Sequence, residues 1–266
     1  MAIDPNSYDF LVVSIVDRIA FVAMGRPDQM GACDEDGHRE FARILRDVAA
    51  DDGVDVAVVH GTGSSFSVGA EYEWMEEVTR ADELQDDLQI QVRELVRAHV
   101  ALDKPVVSAI NGPATGSGLM LALLSDWVIA EEGVKLADGH IRAALAAGDG
   151  GVLVWPLAVG LTRAKRYLMT GDWIDAVEAE RIGLLTEVVP AGTSLDRATE
   201  VAGRFAAMPR QAVRATKSAL NHWLEAGLGN GFEYSVAQEM QSFSREGEAV
   251  REAVDDIRSR RRPAWW

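Results

Sequence analysis

Apolar positions in this chain follow two rhythms, one of short continuous runs and one of helical spacing. Runs rich in valine and isoleucine at 11–16, 19–24, 54–60, 106–110 and 127–130 predict strands. Between them, Phe41, Ile44, Leu45 and Val48 recur at helical spacing after Asp34, and Leu84, Leu88, Val92, Leu95 and Val96 do so within a longer helix from about 81 to 102. Turn chemistry separates the segments: Asp17-Arg18 between the first two strands, Asp51-Asp52-Gly53 after the first helix, and Asn111-Gly112-Pro113 after the strand at 106–110. Residues 64–70 form a loop of small residues, and a short helix opens at Glu71. Residues 136–148 show little regular pattern. From Thr162 the pattern is mostly helical, with one strand near 186–189 and final helices predicted at about 194–207, 209–226, 230–245 and 247–258. Strand and helix alternate through the first 190 residues, which is the pattern of parallel strands with crossover helices. The predicted class is α/β with a C-terminal helical region packed on the core or on a neighbouring subunit.

The stretch from Lys104 to Asp126 stands out. A buried strand ends at Asn111-Gly112-Pro113, the backbone turns through Gly116-Ser117-Gly118, and a helix starts with Leu119, Met120, Ala122 and Leu123. The first turn of a helix carries free N–H groups and the positive end of the macrodipole, so it can hold an anion or a developing oxyanion. The same small residues would also serve simple close packing of helix on strand.

Composition narrows the function classes. Of 266 residues 48% are apolar and 26% charged, enough for a folded core. The net charge of −16 argues against nucleic acid or an anionic membrane as the main partner. The one basic run, Arg258 to Arg262, reads as a tail or a local phosphate contact. Cys33 is the single cysteine, which excludes an intrachain disulfide, and it reads as a small buried thiol. His60, at a strand end, reads as structural. No signal peptide and no membrane span are expected, so the predicted location is cytoplasmic. No ligand spacing for a metal is found, nor a P-loop or dinucleotide fingerprint. Trp155, Trp173 and Trp223 read as core or interface residues.

The motifs resemble one family. Gly63-Ser64-Ser65-Phe66-Ser67-Val68-Gly69-Ala70-Glu71 and Asn111-Gly112-Pro113-Ala114-Thr115-Gly116-Ser117-Gly118 are similar to the two signature loops of the crotonase (enoyl-CoA hydratase/isomerase) superfamily. Leu168-Met169-Thr170-Gly171-Asp172, Ala176, Glu180, Gly183-Leu184 and Val188-Val189-Pro190 follow in the matching order. The resemblance implies a crotonase-like spiral of ββα repeats over 1–195, with 196–266 serving trimerisation and active-site closure in a homotrimer or dimer of trimers. It further implies an oxyanion hole built from the Ala70 and Ser117 amides, the loss of one such donor costing ~3 kcal/mol of transition-state stabilisation. Phe66, Ser67, Val68, Gly69, Gly116, Gly118, Met120, Gly148 and Trp74 would surround the substrate. Coenzyme A would enter as part of that substrate, with no separate cofactor, and Arg214 and Lys217 could approach its phosphates.

The chain also departs from the family. The two glutamates of its hydratases would fall at Met120 and His140, so a two-carboxylate hydration does not transfer. What remains is His140 as a general base, with Asp149 as the carboxylate on its other nitrogen. Asp149 has a second reading as the N-cap of the following helix, and His140 as a polar loop residue. Some family members, the β-diketone hydrolases typified by 6-oxocamphor hydrolase, carry histidine and aspartate at these two places and add a glutamate from a late helix, for which Glu239 is the match and Glu233 the fallback. Those hydrolases have a further histidine after the Asn-Gly-Pro turn, where this chain has Gly-Ser-Gly-Leu. The leading expectation is therefore enoyl-CoA hydratase/isomerase chemistry of fatty acid metabolism on an acyl-CoA. The alternatives are C–C bond hydrolysis of a small diketone and an inactive CoA-binding paralogue, the last suggested by Met120.

Overall fold

The computed structural model describes residues 2–262; position 1 and positions 263–266, the outer ends of the two regions expected from the sequence, lie outside the described residues. Strands β1 (Val12–Val16) and β2 (Ile19–Ala23) form an antiparallel hairpin, turned by Asp17 and Arg18 at φ 49° and 67°. Positive φ at both loop positions matches the right-handed strand twist. Helix α1 (Glu35–Ala50) follows, its N-cap Asp34 accepting a hydrogen bond from the Gly37 amide. Strand β3 (Val56–His60) then lies parallel to β2. Helices α2 (Tyr72–Val78) and α3 (Asp82–Ala101) lead to strand β4 (Val106–Ile110), parallel to β3.

After β4 come a two-residue strand β5 (Ala114–Thr115), helix α4 (Gly116–Leu123), strand β6 (Trp127–Glu131) and strand β7 (Lys135–Ala137). A single turn, His140–Ala143, occupies the stretch that lacked a sequence pattern. Helices α5 (Gly151–Val159) and α6 (Leu161–Thr170), strand β8 (Ile174–Asp175), helix α7 (Ala176–Arg181) and strand β9 (Glu187–Val189) complete the core. The main sheet runs β1-β2-β3-β4-β6-β9, and β5, β7 and β8 form a second, smaller sheet. The helices α8 (Ser194–Ala207), α9 (Arg210–Gly227), α10 (Glu233–Arg245) and α11 (Gly247–Arg258) end the described chain.

The all-apolar strands are explained by coverage on both faces. Val56, Val58, Val107, Ala109 and Ile129 point to one side, against Ala198, Val201 and Ala202 of α8. Their neighbours Ala57, Val59, Val106 and Ile110 point to the other, into the large core with Phe41, Leu45, Val92 and Val96 of α1 and α3. Alternation within an apolar run, rather than apolar against polar, is what seats the strand ends between two helical layers.

One sequence expectation changes here. Lys217 is buried on α9, its ammonium donating to the Lys104 carbonyl at 2.8 Å and to Asp126 at 2.6 Å, so it is committed to the fold and turned away from any phosphate. Trp155 is core, fully buried and 5.4 Å from the Tyr167 ring, whereas Trp223 is 73% exposed. Cys33 is buried, and burial pushes its thiol well above the ordinary range, so it is no nucleophile at neutral pH.

Candidate active site

The two signature loops meet side by side. The Ser67 carbonyl accepts from the Thr115 amide at 3.0 Å, and the Val68 carbonyl accepts from the Thr115 hydroxyl at 2.6 Å. Gly69 has φ +86°, and a methyl added there would lie 3.0 Å from the Thr115 carbonyl oxygen and 3.5 Å from the Ser117 nitrogen. Only glycine combines that conformation with that approach. On its other side the loop pairs with Cys33, whose amide donates to Gly69 O and whose carbonyl accepts from the Glu71 amide, both at 2.9 Å. That pairing turns the intervening Ala70 N–H the opposite way. Ser117 lies in the first turn of α4, where its amide has no intrahelical acceptor. Ala70 and Ser117 line one cavity of about 620 Å³.

The opposite wall carries the titrating groups. His140 is buried at the start of its turn, and its Nδ1 stands 2.7 Å from Asp138 Oδ1. The same oxygen accepts from the His140 backbone amide at 3.2 Å, which closes a short turn and fixes the ring. The imidazole Nε2 is 3.5 Å from Asp149 and 3.7 Å from Glu239. Glu239 arrives from α10 and rests against Gly148, where a methyl would lie 2.2 Å from its Oε2. A methyl at Gly151 would lie 2.7 Å from the far oxygen of Asp138. Glycines thus let two carboxylates close in on the ring from different elements. Glu233, the fallback, is engaged elsewhere by Arg93 and Arg97, at 2.7 Å each.

The electrostatics follow from burial of one cation among three carboxylates. Burial opposes charge on His140, but Asp149, Asp138 and Glu239 outweigh it and hold its pKa well above the ordinary imidazole range. Burial pushes Glu239 up to about 8 and Asp149 up to about 6, each moderated by the His140 charge. At neutral pH the resting cluster therefore contains an imidazolium, an Asp149 carboxylate and a Glu239 carboxylic acid. This corrects two expectations: the ring is not a neutral base at rest, and its orienting partner is Asp138, because Asp149 faces the outer nitrogen. Nor does Asp149 cap α5, whose N-cap is Gly150 without a side-chain bond. Asp138, His140 and Asp149 each place a ligand-type atom within 4.8 Å of the others. The aspartates, however, meet opposite ring nitrogens, so the imidazole separates them and a proton, not a shared ion, suits the geometry.

Of the residues expected around the substrate, Val68, Trp74 and Gly116 line the cavity. Phe66, Ser67, Gly118 and Met120 do not: all are buried behind the wall, with Ser67 donating to the Gly31 carbonyl at 2.7 Å and a methyl at Gly118 meeting Ser67 at 2.4 Å. Gly69 and Gly148 act through the space they leave. Arg214 faces a separate small groove beside Phe205 and Met208. The terminal arginines 260 to 262 stand at the cavity itself, as do Arg142 and Trp173, stacked at 4.5 Å. Sequence reasoning missed Asp138 as a site residue, although the Asp-x-His spacing is a signal for a side chain bonding its own backbone two residues on.

The chain is similar to known proteins along most of its length. The enoyl-CoA hydratase/isomerase family model matches residues 14–266. A curated relative named probable mitochondrial enoyl-CoA hydratase, from Dictyostelium discoideum, is 29% identical over 93% of this chain and 87% of its own length. The solved structure of an enoyl-CoA hydratase/isomerase from Mycobacterium paratuberculosis is 33% identical, covers 94% of this chain and 99% of its own, and superposes with a TM-score of 0.90. A β-diketone hydrolase from the cyanobacterium Anabaena, solved with (S)-3-oxocyclohexyl acetic acid, is 26% identical over 91% of this chain and 96% of its own, with a TM-score of 0.84.

Proposed function

This chain belongs to the enoyl-CoA hydratase/isomerase family, and from that premise we propose that it hydrates or isomerises an acyl-CoA thioester through an enolate held by the Ala70 and Ser117 amides. The observation that carries the reading is that these two residues share one cavity with His140, Asp149 and Glu239. Backbone donors aimed where charge develops supply the largest part of such catalysis and need no reorganisation. In the hydration direction, the Asp149 carboxylate takes a proton from water as its oxygen bonds the β-carbon. The C=C electrons move into the enolate, and the Glu239 carboxylic acid delivers a proton to the α-carbon. His140, 3.5 Å from one carboxyl and 3.7 Å from the other, returns the proton from Asp149 to Glu239 and resets the pair. Three groups, Asp149, Glu239 and His140, thus replace the two glutamates of the family's hydratases, and Met120 takes no part.

A second reading rests on the same cluster. A glutamate brought from a late helix to a histidine–aspartate pair is the arrangement that the resemblance to β-diketone hydrolases implies, and one solved relative is such a hydrolase. There the activated water would attack a ketone carbonyl and the enolate would be the leaving group. For the larger assembly, exposed Leu220 and Trp223 on α9 support a homotrimer or dimer of trimers formed through 196–266, and the chemistry suits the cytoplasmic acyl-CoA pool. The test is turnover. Crotonyl-CoA should be hydrated, and His140→Ala should lower kcat by about 10²–10⁴-fold. Cleavage of a 1,3-diketone without CoA, together with no thioester turnover, would install the second reading. CoA binding with neither turnover would mark an inactive paralogue.

A further inference from the structure

We infer that His38 sets substrate specificity, by hydrogen-bonding a hydroxyl group carried on the acyl part of the thioester. The inference rests on the acyl-CoA reading above and adds the class of acyl chain. His38 lies on α1, is 3% exposed, and lines the same cavity as Ala70 and Ser117. Among the described residues, neither of its ring nitrogens has a hydrogen-bond partner. A neutral imidazole has one donor and one acceptor, and burying both unmet costs desolvation with nothing returned. Burial lowers its pKa to about 4, so the ring is neutral in use. The Trp74 ring stands edge-on at 4.9 Å, a contact that can engage the N–H but leaves the lone-pair nitrogen without a donor. A hydroxyl satisfies either nitrogen; a methylene satisfies none.

Position makes the assignment specific. Cys33 pairs with Ala70, so α1 begins beside the oxyanion loop, and His38 lies about 6 Å further along the helix. Trp74 lies in the first turn of α2, which opens just after Ala70. The imidazole thus shares one cavity with Ala70, in a wall otherwise made apolar by Trp74, Val78, Leu88 and Val92. No step of the proposed proton chemistry uses it.

Saturated acyl-CoA esters of one chain length, with and without a hydroxyl on the carbons beyond the reacting pair, would be titrated against the full chain. Wild type should bind the hydroxylated ester about tenfold or more tightly than the plain one. His38→Phe should remove that preference while retaining the plain ester, and His38→Gln should recover part of it. Equal weakening of both esters by His38→Phe, or wild-type indifference to the hydroxyl, would overturn the inference and leave the acyl-CoA reading standing. Failure of wild type to bind any CoA ester would overturn that reading, and the inference with it.

Discussion

The two walls of the cavity are built on opposite principles. The proposed oxyanion wall uses main-chain amides fixed by glycine turns and by hydrogen bonds between loops, and a main-chain amide does not titrate near neutral pH. The proton wall uses side chains from three separate elements, where burial raises the pKa values of Asp149 and Glu239 and the carboxyl groups hold that of His140 up against burial. The first is rigid because its donors belong to the backbone. The second depends on its proton count, an imidazolium beside an Asp149 carboxylate and a protonated Glu239. Damage to the first should leave pH behaviour intact, and damage to the second should change it.

The largest expected effect separates the walls by structure. Gly69→Ala puts a methyl 3.0 Å from the Thr115 carbonyl at a φ of +86°, so the loop must shift and move the Ala70 amide. Loss of one aligned donor should lower kcat by about 10²–10³-fold. The strain itself should cost ~1–3 kcal/mol of stability. The pH at which activity is half-maximal should stay at its wild-type value. A kcat–pH series on the variant checks both points, and a displaced profile would mean that the two walls are coupled.

The next effect lies on the other wall and reads as stability. Glu239 titrates at about 8 when folded, against roughly 4.3 for an unperturbed glutamate. The folded state therefore holds a proton that the unfolded state releases, so this group's contribution is fully present below the unfolded value and is lost as pH rises through about 8. His140 and Asp149 are also raised and act with the same sign. Glu239→Gln keeps the shape and removes the titration. Its unfolding free energy should fall less than that of wild type between pH 5 and 8, by on the order of 3 kcal/mol. Denaturant titrations at the two pH values give the comparison. Parallel curves would mean that Glu239 is ionised in the folded protein.

The same contrast explains what could be read from the chain. The oxyanion wall was legible because its elements are local: a strand, Asn111-Gly112-Pro113, then Gly116-Ser117-Gly118 opening a helix. Even there, Phe66, Ser67 and Gly118 looked like substrate contacts, because a loop that must hold an amide rigidly spends most of its residues on packing. The proton wall was legible only by resemblance. Glu239 reaches His140 through the packing of α10, which no spacing rule announces, and a glutamate on an amphipathic helix reads by default as a solvated residue. Asp149 was given the orienting role because Asp138 was not singled out, and the structure places Asp138 at Nδ1 and Asp149 at Nε2. The side each takes depends on a backbone turn in a segment without periodicity.

That turn gives the smallest and most discriminating effect. In other histidine–aspartate pairs, asparagine fails when its NH₂ faces the ring and forces the wrong tautomer. Here Asp138 Oδ1 also accepts the His140 backbone amide at 3.2 Å, so an Asp138→Asn side chain should be held with its oxygen toward the ring. Tautomer and orientation should survive, and only the charge is lost. Asp138 is thus a positioning residue whose charge helps to keep His140 protonated. The variant should lose about tenfold in kcat, and the His140 titration followed by NMR should move to lower pH, toward its ordinary value. A loss as large as that of His140→Ala would mean that the asparagine has flipped. An unmoved titration would mean that Asp149 and Glu239 alone set the charge of the ring.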